Sequence, residues 1–128
     1  MRLLLDSNVL LWAIYSRAHL TEQVKTLLAD EENELCVSHA TLWKLLSKIG
    51  RSKLLLAGTS VHDAMSKVQD LGVTFLPIDE DLILAAASLP HHNSDPFDRM
   101  LIAQAVAEKL PVLTADGQFS LFDVSVIW

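Results

Sequence analysis

A single cysteine, Cys36, excludes an intramolecular disulfide and suits a reducing compartment. No apolar run approaches the ~20 residues of a membrane span. The start, Met1-Arg2-Leu3-Leu4-Leu5, imitates a targeting segment, but Asp6, Ser7 and Asn8 interrupt it before Val9 to Ile14. A secretory core needs roughly 7–15 continuous apolar residues. These absences predict a soluble, cytoplasmic protein with no membrane partner. Repeats, low-complexity tracts and Gly/Ser linkers are also missing, so residues 1–128 are expected to form one domain. Neither a Gly-rich phosphate loop nor a nucleophile-elbow pattern occurs. His91-His92 is the one histidine pair, and adjacent side chains point apart, as in a solvated loop. Cys36 lies inside an apolar stretch and reads as core rather than nucleophile.

What is present supports a folded core. Half the residues are apolar and only 20% are charged, against disorder. The net charge of −6 disfavours nucleic acid at first sight, because phosphate attraction scales with basic contacts. The distribution says more than the sum. Between Leu35 and His62 there is no acidic residue, while Lys44, Lys48, Arg51 and Lys53 fall together. A solvated helix end would explain this cluster; the functional reading is a phosphate-facing patch, with acids elsewhere reserved for cations.

Strands are predicted at 2–5, 34–37, 73–76, 112–114 and 124–127. Helices are predicted over 21–30, from Ser38 as N-cap to a stop at Gly50, over 60–71 closed by Gly72, over 79–88, and from Asp95-Pro96 to about Lys109. Strands alternating with helices imply parallel pairing and an α/β fold, a three-layer α/β/α sandwich around four to five short strands.

Open parallel sheets bind ligands beyond the carboxyl ends of their strands. Asp6 follows the first predicted strand and Asp116 lies two residues past the fourth. Either alone reads equally as a turn residue. Asp98 heads a face carrying Leu101, Ile102, Ala105 and Val106, so its carboxylate points toward packing and needs a partner or an ion. Capping is the competing account, with Asp98 at N3 and Asp95 at the N-cap. Carboxylates converging at one sheet edge repel unless cations fill the space. Oxygen donors without paired His or Cys suit Mg²⁺ or Mn²⁺ rather than Zn²⁺. The chemistry implied is metal-assisted phosphodiester hydrolysis.

These residues resemble a known family. Leu3-Leu4-Leu5-Asp6-Ser7-Asn8-Val9-Leu10-Leu11-Trp12 is similar to the opening of VapC-like PIN-domain toxins, and Val37-Ser38-His39-Ala40-Thr41-Leu42-Trp43-Lys44 to their second motif. Asp95-Pro96-Phe97-Asp98-Arg99-Met100-Leu101-Ile102-Ala103-Gln104-Ala105 resembles the third, and Leu113-Thr114-Ala115-Asp116 the fourth. The resemblance implies a PIN-like fold with Asp6, Asp98 and Asp116 as catalytic metal ligands. It makes Asp95 an auxiliary acid and Ser7 a polar neighbour of the metal water. It further implies Mg²⁺- or Mn²⁺-dependent endoribonuclease activity on tRNA or other structured RNA, a cognate antitoxin protein, and a homodimer.

One position departs. The second motif of these toxins carries a glutamate where this chain has Lys44. The exchange takes a set of three aspartates and one glutamate from −4 to −2. A protonated lysine cannot ligate Mg²⁺ and can take a cation's place beside a carboxylate, so weakened metal binding and reduced or absent cleavage are expected. The alternative is a PIN module that binds RNA or an antitoxin without cutting. A phospho-receiver domain also places Asp after a strand. It would want a lysine near the end of a late strand, and Val124 to Trp128 offers none.

Overall fold

The computed structural model describes residues 1–51 and 60–128. Strands β1 (Arg2–Leu5), β2 (Glu34–Ser38), β3 (Thr74–Leu76), β4 (Val112–Leu113) and β5 (Val126–Ile127) form one sheet in the order β3-β2-β1-β4-β5. Every neighbouring pair is parallel. Among the described residues six α-helices surround it: α1 (Ser7–Tyr15), α2 (Glu22–Ala29), α3 (His39–Arg51), α4 (Val61–Asp70), α5 (Glu80–Ala87) and α6 (Pro96–Glu108).

Strand alternation assigns the layers. Leu3, Leu5, Leu35 and Val37 face a core shared with Val9, Leu10, Leu45, Ile49, Ala64 and Val68 of α1, α3 and α4. Leu4, Cys36, Leu76 and Val112 point the other way, onto Leu101, Ile102 and Ala105 of α6 and onto Phe119. Both faces are therefore covered, which is why the strands read as continuous apolar runs. The expected α/β/α sandwich is the one observed. Among the described residues no helix is long and apolar enough to cross a membrane.

Side-chain caps start the helices where the sequence places short polar residues. Thr21 accepts from the Val24 amide at 3.2 Å, Ser60 from Asp63 at 3.0 Å, and Asp79 from Leu82 at 2.9 Å. Ser38 accepts from Ala40 at 3.0 Å, as expected of a residue opening α3. Gly72, with φ 71°, supplies the left-handed turn after α4.

Three expectations need correction. Helix α1 was not foreseen, because Val9 to Ile14 is nearly unbroken apolar sequence and periodicity cannot sort such a run. Gly50 does not end α3, which continues to Arg51; an interior glycine weakens a helix by about 1 kcal/mol without forbidding it. The strands β3, β4 and β5 are also shorter than expected, leaving Thr114 just beyond β4.

Cys36 is fully buried in β2, and burial pushes its thiol pKa up to about 11. Its reaction with a thiol reagent is expected to wait for unfolding. Prompt labelling of the native chain in a stopped-flow assay with Ellman's reagent would contradict this placement.

Candidate carboxylate site

The register Leu5↔Leu113 carries Asp6 and Thr114 together past the carboxyl ends of the central strand β1 and its neighbour β4. Asp6 is only 6% exposed. Its Oδ1 accepts the Ser7 amide at 2.7 Å, capping α1, and its Oδ2 accepts the Thr114 hydroxyl at 2.7 Å. Thr114 Oγ1 in turn accepts the Asp116 amide at 3.0 Å, tying the loop after β4 to the residue after β1. Burial pushes the Asp6 carboxyl up. The hydrogen bonds from Thr114 and Ser7 and the charge of Lys44 oppose this, the charge of Asp116 adds to it, and the pKa remains raised.

Asp95 and Asp98 open α6. Asp95 is its N-cap, Oδ1 accepting the Phe97 amide at 2.9 Å, with Pro96 at the first helical position as expected. Asn93 braces both acids: its Oδ1 accepts the Asp95 amide at 2.9 Å and its Nδ2 donates to Asp98 Oδ2 at 3.1 Å. Capping thus accounts for one oxygen of Asp95. Asp98 is held by Asn93 and by a cation.

That cation is Lys44. Its Nζ donates to Asp95 Oδ2 at 3.0 Å and lies 3.6 Å from Asp98 Oδ1. The ammonium also lies 5.9 Å from the centroid of the Phe97 ring, which meets exposed Trp43 edge-on. Partial burial works against the ammonium, but the Asp95 hydrogen bond and the charges of Asp98, Asp95 and Asp6 outweigh it and raise its pKa. Burial likewise opposes the Asp95 charge, yet the Lys44 and Phe97 hydrogen bonds bring that carboxyl below its ordinary value. Asp98 moves the other way. Burial dominates the help from Asn93 and Lys44, and the charges of Asp95 and Asp6 add to it.

Oxygen-only donors match a hard divalent ion in chemistry. The arrangement does not. Among the described residues no three His, Cys, Asp or Glu side chains gather closely enough to hold one ion. Where Asp95 and Asp98 approach each other, the ammonium of Lys44 stands between their oxygens. The site with lysine at position 44 does not fit Mg²⁺ or Mn²⁺.

Ser7, half-buried at the start of α1, lines a cavity of about 200 Å³ with Asn8, Leu11, Lys44, Leu45 and Lys48. Lys48 and Arg51 are exposed on α3, and Lys53 lies outside the described residues. Asp116 is half-buried, and its Oδ1 accepts the Gln118 amide at 2.9 Å to start a 3-10 turn, Gly117–Leu121.

Three residues escaped the sequence reading: Thr114, Asn93 and Arg99. Their contacts are non-local or lie in a loop. The available signal was only their place inside the third and fourth motifs or just before one. Arg99 donates from Nη1 to the Pro90 and Asn93 carbonyls at 3.0 and 3.1 Å, and from Nη2 to Leu89 at 2.7 Å. It clamps the loop that carries Asn93 onto α6. Arg99→Ala is expected to cost about 2 kcal/mol in urea unfolding, with only partial recovery in Arg99→Lys, which lacks the fork. Equal stability of all three proteins would remove the clamp.

A PIN-domain family model matches residues 3–124, and the chain belongs to the PIN-domain family. No curated protein matches it. Among solved structures it is similar to VapBC2 from Rickettsia felis bound to a promoter DNA fragment. There the TM-score is 0.74 at 15% identity, covering 99% of this chain and 98% of that one. FitAcB from Neisseria gonorrhoeae gives a TM-score of 0.71 at 25% identity, with coverage of 98% and 96%. VapC20 from Mycobacterium tuberculosis, a toxin that cleaves the sarcin-ricin loop, gives 0.64 at 17% identity over 93% of each chain.

Proposed function

We propose that this chain is the toxin half of a toxin–antitoxin pair, a PIN module directed at RNA whose phosphodiester-cleaving site is held down by Lys44. Asp6, Asp98 and Asp116 are its hydrolytic carboxylates, with Asp95 as auxiliary acid. The observation that carries the reading is the placement of Lys44 Nζ against Asp95 and Asp98 at the sheet edge where Asp6 emerges. An ammonium there supplies charge compensation and offers no lone pair to a metal. The preferred metal for a restored carboxylate set is Mg²⁺ or Mn²⁺. The likeness in fold to VapBC2 and to a toxin-antitoxin complex from Klebsiella pneumoniae supports a protein partner of that kind, and a homodimer is the assembly that the VapC resemblance implies.

The same lysine supports a second reading, a module that binds RNA or antitoxin and never cuts. Labelled tRNA incubated with the purified chain separates the two. Binding in EDTA is expected of both the chain and its Lys44→Glu variant, with cleavage in Mn²⁺ confined to the variant. Binding with RNA that stays intact, even for a variant carrying Lys44→Glu, selects the non-cutting module. No binding by either protein sinks the RNA assignment.

A further inference from the structure

The cavity beside the carboxylates has the opposite electrostatic character. Among the described residues its charged lining side chains, Lys44 and Lys48, are both cationic, and no carboxylate lines it. They lie four residues apart on one face of α3, where like charges repel and an anion between them relieves the strain. No ion pair engages Lys48 among the described residues. Ser7 and Asn8 of α1 also line it, together with Leu11 and Leu45. Lys44 already meets Asp95 and Asp98, so Lys48 is the cation left to an incoming anion, beside an apolar side that strengthens its ionic contact. A volume of about 200 Å³ admits a tetrahedral oxyanion with its first waters.

We infer that this cavity is a phosphate subsite that grips the RNA backbone without a divalent cation; the choice of RNA as ligand rests on the reading above. Lys44 links the two halves of the site. Its Nζ touches Asp95 while its side chain lines the cavity, so a phosphate held there lies within one side-chain length of the carboxylates.

The test uses the ¹⁵N-labelled chain in EDTA with inorganic phosphate as probe, beside fluorescence anisotropy of a labelled RNA oligonucleotide. Phosphate is expected to shift the Ser7 and Asn8 amide signals, and Lys48→Gln to abolish that shift. Lys48 is exposed, so its truncation leaves the core intact. For RNA, Lys48→Gln is expected to weaken binding and lower the salt slope by about one, the loss of one phosphate contact. Lys25→Gln, whose lysine pairs with Glu22 on α2, serves as control and should bind like the parent. Unmoved Ser7 and Asn8 signals, or shifts that persist in Lys48→Gln, overturn the subsite even if RNA binds. Phosphate shifts without RNA binding keep the anion site and overturn its RNA assignment.

Discussion

Lys44→Glu is expected to give calorimetrically detectable Mn²⁺ and Mg²⁺ binding and to raise RNA cleavage by roughly 10²-fold or more, the scale of one electrostatic element at a transition state. Two things change at once. The ammonium that now contacts Asp95 and Asp98 disappears, and a further carboxylate joins Asp6, Asp98 and Asp116. Lys44→Met separates them, because it removes the charge without adding a ligand, and should fall between the two proteins. It should also lower stability slightly, since Asp95 and Asp98 would then repel with no cation between them. If the parent chain and Lys44→Glu cleave equally in Mn²⁺, Lys44 does not restrain the site. If no variant binds metal or cuts, the hydrolytic assignment of the three aspartates loses its footing.

Asp6 should behave as both chemistry and scaffold. Asp6→Ala removes a helix cap, worth about 1 kcal/mol, and strands the buried Thr114 hydroxyl at a further cost of about 1–2 kcal/mol. A loss of roughly 2–3 kcal/mol in urea unfolding is expected. Asp6→Asn retains a side-chain oxygen for the Ser7 amide and fills the same volume, so it should lose less than half of that. Placed in the Lys44→Glu background, Asp6→Asn should nevertheless eliminate the recovered cleavage while the protein stays folded. Undiminished cleavage in that double variant would show Asp6 to be structural alone. Equal stability of Asp6→Ala and the parent would contradict the cap and the Thr114 bond.

Much of this architecture could be read from local pattern. The apolar stretches before Asp6 and around Cys36 announced buried parallel strands, and Asp95-Pro96 marked the start of α6 because capping chemistry is local. Helix α1 stayed hidden because it packs on two sides at once, so Val9 to Ile14 shows no polar face to count. Lys44 shows the sharper limit. Helical counting correctly set it off the Leu42/Leu45/Leu46/Ile49 stripe, and on that basis alone it read as solvated. Its partners are fixed by how α3 crosses the start of α6, with Asp95 lying 51 positions along the chain. Only the motif match anticipated that it would meet carboxylates. Thr114 was missed for a similar reason, since its hydroxyl serves a residue 108 positions away. Asn93 sits in a loop whose shape depends on Arg99.

The contrast between Asp6 and Lys44 bears on how such a module loses and regains its bite. Asp6 is anchored from two elements, so a mutation there risks the fold along with the activity. Position 44 lies on the rim of α3, partly exposed and outside the apolar core, where an exchange disturbs charge pairing with Asp95 and Asp98 but no buried packing. Lysine and glutamate codons differ by a single transition at their first base. A population carrying this gene therefore stands one nucleotide from the carboxylate form, and selection to silence or to rearm the protein would meet its least resistance at that codon.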